Sequence, residues 1–202
     1  MSFKSFQAKD HYFHLAKKQW ILARSFFKLQ EIDQKYHIRD KTVTSVLDIW
    51  CAPGSRVQYA DQKCSKFHRN YHIVWVDILP SKVSGPHIQI YQHDVTDHIR
   101  ISNLLTAQFP SWLDCIISDM APNTTWFKQI DAMKSIDLIR QTLYIYQSYL
   151  RPWGKCVIKC FMGPWFDEFV RDFKQALWWQ CKIVKPQASR AISKEVYIVK
   201  FA

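Results

Sequence analysis

The sequence predicts an α/β fold in which a mostly parallel sheet carries helices on both faces. Short apolar runs rich in β-branched residues recur along the chain and alternate with longer segments of helical periodicity. This alternation is typical of strands joined by crossover helices, which make the sheet parallel. The last two apolar runs have only a short polar segment between them, so they predict a hairpin whose final strand is antiparallel.

The boundaries of the elements follow from these patterns and from the turn residues between them. Strands are predicted at Val43–Ile49, His72–Val76, Ile88–Tyr91, Leu113–Ser118, Lys155–Phe161, Cys181–Val184 and Glu195–Lys200. Helices are predicted at Ala23–Tyr36, Gly54–Cys64, Ile99–Phe109, Ile130–Leu150 and Phe166–Leu177, with a short helix in the polar, aromatic segment Phe3–Trp20. We therefore expect a basic N-terminal arm over residues 1–22 and a single domain over residues 23–202.

The charge balance points to a polyanionic partner. The 202 residues include 28 Lys and Arg against 17 Asp and Glu, a formal net charge of +11. Nucleic acid is favoured over a membrane surface, because no basic helix has a clean apolar face. A basic surface that is merely solvated is the alternative. No apolar run is long enough to span a bilayer, and Met1–Lys4 lacks the apolar core of a secretory signal, so we expect a cytoplasmic protein.

The six cysteines predict reduced, mostly buried thiols and no metal site. None of them forms a C-x-x-C pair, and the i,i+4 pair Cys156 and Cys160 lies in an apolar run.

One stretch, Val46–Ser55, carries the first sign of a ligand site. An apolar run ends in an acid, Asp48, and then breaks into a turn of small residues with Pro53 and Gly54. In a doubly wound sheet, ligands bind over such turns at the carboxyl ends of the strands. An ordinary strand, turn and helix without a ligand is the alternative.

Further acids recur at matching places. Asp77 and Asp119 end the second and fourth strands, and Asp94 follows the third. Any one of them is explained as a helix cap or turn residue. Together, and at the ends of neighbouring strands, they favour a cofactor, and the acid after the second strand suits the hydroxyls of an adenosine ribose.

A lysine inside an apolar strand is the second unusual feature. Lys159 lies in the run Val157–Phe161, and burying its charge is costly unless it is paired. Asp119, at the end of the neighbouring strand, is the obvious partner. Pro122 stiffens the loop that presents its carboxylate. A lysine in such surroundings has a lowered pKa and is able to act as a base. The alternative is an edge-strand lysine that faces water.

From Asp10 onward, the chain resembles the FtsJ/RrmJ ribosomal RNA methyltransferases. The matching segments, in order, are Ala23–Leu29, Leu47–Gln58, Val76–Pro80, Asp94–Asp97, Ser118–Thr125, Val157–Phe161, Lys185–Pro186, Ser189–Ala191 and Ser193–Tyr197. Each segment is weakly specific, whereas the ordered set is strong.

The resemblance implies a seven-stranded methyltransferase fold that uses S-adenosylmethionine to methylate a ribose 2′-hydroxyl. It further implies a uridine of large-subunit ribosomal RNA in assembled subunits as the substrate, and a monomer. The implied catalytic residues are Lys28, Asp119, Lys159 and Glu195. The implied cofactor contacts are Gly54, Arg56, Asp77, Asp94 and Asp119. Arg24, Lys28 and the basic arm would contact RNA phosphates.

The chain departs from the family pattern mainly by having tryptophan where the family has glycine. These positions are Trp20, Trp50, Trp75, Trp126, Trp153 and Trp165. Ser55 replaces a further glycine, and Arg56 stands where the family has tryptophan. Trp50 matters most, because an indole brings roughly 150–250 Å² of surface to the place where cofactor meets backbone. Tryptophan at these turns should also strain the fold wherever φ is positive.

Two hypotheses account for the replacements. The chain has four glycines and nine tryptophans, whereas glycine usually makes up about 7% of a protein. The codon UGA is read as glycine in some bacterial lineages, so UGA codons meaning glycine would appear here as tryptophan. The other hypothesis is a decaying gene copy, although decay is not expected to favour one substitution and spare all four catalytic residues.

Two rival functions stay open at this point. The first is a non-catalytic RNA-binding ribosome assembly factor that kept the fold and lost cofactor binding through Trp50. The second is a nicotinamide-dependent oxidoreductase, which requires a G-x-G-x-x-G turn of which Gly54 alone is present.

Overall fold

A seven-stranded sheet organises the part of the chain that the computed structural model describes, residues 11–50, 52–80, 83–125, 127–177, 180–190 and 192–201. Its strands are β1 (Ser45–Ile49), β2 (His72–Asp77), β3 (Ile88–Gln92), β4 (Leu113–Ser118), β5 (Leu150–Phe161), β6 (Cys181–Val184) and β7 (Glu195–Lys200). The order is β3-β2-β1-β4-β5-β7-β6, and β7 runs opposite to the other six strands. The predicted fold class is therefore confirmed, including the antiparallel last strand.

Helices cover both faces of this sheet. In these same ranges they are α1 (His11–Lys18), α2 (Ser25–Tyr36), α3 (Ser55–Phe67), α4 (His98–Gln108), α5 (Lys128–Gln141), α6 (Leu143–Tyr149) and α7 (Phe166–Leu177). The first three pack with one apolar core and the last four with the other. No helix in the described ranges has the length and apolar character needed to cross a membrane.

The central strands are apolar on both faces because both faces are covered. Leu47 and Ile49 of β1 enter the core under α4–α7, whereas Val46 enters the core under α1–α3. All three are at most 1% exposed. Successive strand residues point to opposite faces, so this burial explains why the neighbours Val46 and Leu47 are both apolar instead of alternating apolar with polar.

The predicted helix Ile130–Leu150 is wrong as a single element. The chain forms α5 and α6 with a break at Thr142, and β5 already begins at Leu150. The Thr142 hydroxyl donates to the carbonyls of Leu138 and Ile139, at 3.1 Å each. A buried hydroxyl bonded back to the preceding turn bends a helix, and periodicity alone does not reveal it.

Part of the predicted arm packs on the domain. Helix α1 buries Ala16 in the core under α1–α3, and Tyr12 and Leu15 pack against the same core. Residues 1–10 lie outside the described ranges. Among the described cysteines, all are free and buried, and Cys51 lies outside these ranges.

Candidate active site

Four charged side chains come together from distant parts of the chain at one edge of the sheet. Asp119 follows β4, Lys159 lies near the end of β5, and Lys28 lies on α2. Glu195 begins β7 directly opposite Phe161, the last residue of β5. Because β7 is antiparallel, its first residue reaches the edge where the parallel strands end.

Lys159 is buried and paired with Asp119, as the sequence predicts. Its Nζ atom lies 3.2 Å from Oδ1 of Asp119. The same Nζ donates a 2.6 Å hydrogen bond to the main-chain carbonyl of Asp119. Lys159 is 7% exposed, and β5 lies between β4 and β7. The alternative of an edge-strand lysine facing water is therefore wrong.

Asp119 is an ionised carboxylate in a cationic environment. Burial by itself would raise its pKa, but the nearby charges of Lys159, Arg56 and Lys28 hold the pKa well below the usual range. Its Oδ2 is paired with Nη1 of Arg56, and its Oδ1 accepts a 3.2 Å hydrogen bond from the Tyr197 hydroxyl.

The second ion pair of the site joins Lys28 to Glu195. The Lys28 Nζ lies 2.6 Å from Oε1 of Glu195, which also accepts a 2.9 Å hydrogen bond from the Ser189 hydroxyl. Glu195 and Asp119 both favour a charged Lys159, whereas burial and the neighbouring cations disfavour it. Burial is the larger effect, so the pKa of Lys159 is lowered from that of a free lysine.

The turn after β1 is shaped by Gly54 and by Asp77. Gly54 has a φ of 112°, and a Cβ atom there would clash with the Val83 side chain. The Asp77 carboxylate accepts hydrogen bonds from the backbone N–H groups of Ala52, at 2.7 Å, and Leu79, at 2.9 Å. Asp77 therefore fixes the loops that follow β1 and β2, which is compatible with a cofactor contact and with a purely structural role.

Asp94 lies apart from the buried ion pairs. It is exposed, and its Oδ1 accepts the N–H of Thr96 at 2.9 Å and the hydroxyl of Thr96 at 2.7 Å. This is the bonding pattern of a turn residue. Its carboxylate faces solvent, where it remains accessible to a polar ligand group.

Arg56 links the ends of β1 and β4 from within the protein, a role that the sequence analysis did not predict. Its guanidinium is 3.0 Å from Oδ1 of Asp48 and 2.7 Å from the carbonyl oxygen of Trp50, in addition to its ion pair with Asp119. Arg56 is 4% exposed. The available signal was the acid Asp48 near a strand end, with an arginine in the first turn of the helix that follows.

Tyr197 and Ser189 were also missed as members of the site. A tyrosine inside an apolar strand and a serine in a polar loop give no signal of their own. Arg24, an expected RNA contact, is half-buried, and its guanidinium donates to the carbonyl of Ala188. It therefore ties the start of α2 to the loop that carries Ser189.

Three of the unusual tryptophans lie where glycine is normally required. Trp20, Trp50 and Trp165 have φ values of 57°, 63° and 65°. In the described ranges, His37 at the end of α2 is the other non-glycine residue with positive φ. This left-handed conformation brings Cβ too close to the following carbonyl oxygen, a strain that glycine avoids.

The other tryptophan replacements have different surroundings. Trp75 is fully buried in β2, and its Nε1 has no hydrogen-bond partner among the described residues. Trp153 is 77% exposed, and Trp126 lies outside the described ranges. Trp50 is half-buried against the core under α4–α7, at the same edge of the sheet as Gly54 and Asp119.

Comparison with known proteins gives a consistent answer. A family model described as FtsJ-like methyltransferase matches residues 21–202. The chain is 37% identical over 196 residues to the ribosomal RNA large subunit methyltransferase E of Syntrophobacter fumaroxidans, covering 96% of both chains. It is 36% identical to the protein of the same name from Desulfatibacillum aliphaticivorans, covering 95% of this chain and 89% of that one.

A solved structure supports the fold. The crystal structure of a ribosomal RNA methyltransferase from Plasmodium falciparum superposes with a TM-score of 0.73 at 21% identity, covering 89% of this chain and 96% of that one.

Proposed function

The chain belongs to the FtsJ-like methyltransferase family, and from this premise we propose that it methylates large-subunit ribosomal RNA. The methyl donor is S-adenosylmethionine, and the acceptor is the 2′-hydroxyl of a uridine ribose. Relatives of 33–37% identity that carry the name ribosomal RNA large subunit methyltransferase E support this assignment.

The observation that carries the proposal is the fixed position of the Lys159 amino group, which accepts a proton in its neutral form. Two hydrogen-bonding contacts to Asp119 hold Nζ at the carboxyl edge of the sheet, in a buried site that Glu195 and Lys28 complete. A ribose hydroxyl is a weak nucleophile that must be oriented and must lose its proton as it reacts. A buried lysine with a lowered pKa suits both tasks.

The roles of the other side chains follow from their contacts. Asp119 orients Lys159, and Arg56 and Tyr197 hold the two oxygens of that carboxylate. The pair of Lys28 and Glu195 positions the ribose, since it offers both a donor and acceptors beside Lys159. During transfer, the proton of the ribose hydroxyl passes to the Lys159 amine.

The residues at this edge fit S-adenosylmethionine in their chemistry. Asp77, Asp94 and Asp119 offer carboxylate oxygens to hydroxyl and amino groups, and Gly54 leaves the turn without a Cβ. Arg56 stabilises the ends of β1 and β4 through its ion pairs with Asp48 and Asp119. When bound, the cofactor supplies an electrophilic methyl group on a sulfonium. The Trp50 side chain opposes binding, because its indole adds bulk at the turn.

The basic charge of the chain supports an RNA partner. The net charge of +11 gives a long-range attraction to phosphates, and Lys28 and Arg24 lie beside the catalytic edge. The relatives' names and the intact set of four charged residues favour the methyltransferase over a non-catalytic RNA-binding factor. They leave the nicotinamide-dependent oxidoreductase without support.

The test is transfer of labelled methyl from S-adenosylmethionine to ribosomal RNA and to isolated large subunits. The chain as written is assayed beside a version with glycine at the six tryptophan positions. The labelled RNA is digested to nucleosides. Label in a 2′-O-methylnucleoside in either assay supports the proposal. Label on a base, or no transfer by both versions to both substrates, would contradict it.

A further inference from the structure

A cavity beside the catalytic edge has no role in the function described so far. It has a volume of about 250 Å³ and lies between the loop after β4, the end of β5 and the loop before β7. Phe161, Thr125 and Ile192 form its walls, and Lys128 and Lys194 line it as well. We propose that it receives the base of the nucleotide whose ribose is methylated. This inference rests on the proposed function and deepens it.

The cavity adjoins the catalytic lysine. The ring centroid of Phe161 lies 5.9 Å from Nζ of Lys159, and Phe161 pairs with Glu195 across β5 and β7. The base of a nucleotide is attached to the carbon next to the one that bears the 2′-hydroxyl. A ribose held at Lys159 therefore brings its own base within reach of the Phe161 ring.

The walls of the cavity are held in place by hydrogen bonds. The N–H and the hydroxyl of Thr125 both donate to Oδ1 of Asp131, at 2.6 Å and 2.9 Å. On the other side, the N–H of Met162 donates to the carbonyl of Lys194 at 2.9 Å. The cavity is thus formed before any ligand arrives, as is usual for ligand sites.

The chemistry of the lining matches an unstacked base. RNA-binding proteins read single-stranded nucleotides by stacking the base on an aromatic ring and bonding its edges. Phe161 offers the ring, and Thr124, which also lines the cavity, carries a hydroxyl able to bond a polar edge of a base. Ile192, which is 72% exposed, offers apolar surface.

The charges around the cavity complement an RNA chain. Lys128 and Lys194 are both exposed and line the cavity from different elements, one from α5 and one from the loop before β7. They suit the phosphates on either side of a nucleotide. A larger groove of about 800 Å³, lined by Trp112, His72 and Arg151, lies at the opposite edge of the sheet. That edge is too far from Lys159 to take the base of the reacting nucleotide.

The experiment is a double-mutant cycle between the base and the Phe161 ring. The methylated nucleotide is first mapped with whichever version of the chain, as written or with glycine at the six tryptophan positions, transfers methyl, and that version serves as the wild type. RNA is then prepared by ligation with that nucleotide either intact or abasic, and is assembled into subunits if naked RNA is not a substrate. Rates of methyl transfer at saturating S-adenosylmethionine are compared for the wild type and Phe161→Ala.

We expect the effects of removing the base and of removing the ring to be non-additive. Once the base is absent, removing the ring should lower the rate no further. With intact RNA, Phe161→Ala should lower kcat/KM by roughly 5- to 150-fold, the range for one base–aromatic stack. With abasic RNA, the two enzymes should react at equal rates. Ile192→Ser, at an exposed position that does not endanger folding, should show the same pattern more weakly. Phe67→Leu, at an exposed phenylalanine on α3, is the matched control and should change neither rate.

Independent effects of the base and the ring would overturn the inference. In that outcome Phe161→Ala lowers the rate equally with intact and abasic RNA, and the base lies elsewhere. Equal rates for both RNAs in the wild type would overturn it as well. Failure of the proposed function is a separate result, since neither version of the chain would then label a ribose in the mapping step.

Discussion

Lys159 and Asp119 are joined twice, once through the side chain of Asp119 and once through its main-chain carbonyl. The Nζ atom of Lys159 lies 3.2 Å from the carboxylate and 2.6 Å from the carbonyl oxygen. Two acceptors on one residue fix both the position and the direction of the amine. Because Asp119 directly follows β4, this arrangement couples the lysine to the end of the neighbouring strand.

The pH dependence of methyl transfer should report the ionisation of Lys159. Its pKa is lowered by burial, so the rate should rise with pH, and the midpoint of this rise should lie below 10.5, the pKa of a free lysine. Glu195 raises this pKa. Glu195→Gln should therefore move the rising limb of the kcat profile to lower pH, at a reduced maximal rate.

The control for this profile is Asp137→Asn, at an exposed acid on α5 that is 58% exposed in its side chain. It should leave the rising limb in place. A limb that moves to higher pH in Glu195→Gln, or a profile without a rising limb, would contradict the assignment of Lys159 as the proton acceptor.

Trp165 should be a destabilising residue. It has a φ of 65°, and left-handed backbone costs a non-glycine residue about 1–2 kcal/mol. Trp112 provides a matched comparison, because both tryptophans are 56% exposed and Trp112 is not among the residues of positive φ. Urea unfolding should show Trp165→Gly to be more stable than Trp112→Gly by about 1–2 kcal/mol. Equal stability of the two variants would argue that position 165 carries no strain.

Trp50→Gly should strengthen binding of S-adenosylmethionine. The substitution removes an indole from the turn after β1 and relieves a φ of 63° at the same residue. Calorimetric titration with S-adenosylmethionine should show at least a tenfold lower Kd than for the chain as written. Trp153→Gly, at an exposed position of ordinary φ, should leave the Kd unchanged. An unchanged Kd in Trp50→Gly would mean that the cofactor is accommodated beside the indole.

Protein isolated from its own cells should carry glycine at the six replaced positions. The positive φ of Trp20, Trp50 and Trp165 supports this hypothesis over a decaying gene copy, because decay has no reason to select left-handed positions. Tandem mass spectrometry of tryptic peptides would identify each residue directly. Tryptophan at all six positions would exclude reassigned codons.

The parallel sheet and its antiparallel last strand were predictable because they depend on the pattern of apolar residues and on the length of one loop. Continuous apolar runs such as Ile73–Val76 require burial on both faces, and a short link between β6 and β7 enforces an antiparallel last strand. The ion pair of Lys159 with Asp119 was predictable because a lysine in a buried strand needs a partner. The break at Thr142 was not, since it depends on a hydroxyl that bonds the preceding turn.

Most of the contacts that hold the site residues in place could not be predicted from the sequence. Arg56 was expected to touch the cofactor, whereas its guanidinium is buried between two strand ends. Tyr197 contacts Asp119 from an apolar strand, and Ser189 contacts Glu195 from a polar loop. These contacts depend on the relative placement of β1, β4 and β7, which local patterns do not specify.

The role of Lys159 as the proton acceptor is tested by the rate of methyl transfer by Lys159→Met. The variant is made in whichever version of the chain transfers methyl to ribosomal RNA, beside Lys182→Met at an exposed lysine of β6. We expect a loss of at least about 100-fold in kcat for Lys159→Met, in line with removal of a general base. We also expect unchanged binding of S-adenosylmethionine and an unchanged rate for Lys182→Met. A Lys159→Met enzyme that keeps the rate of its parent would exclude Lys159 as the proton acceptor.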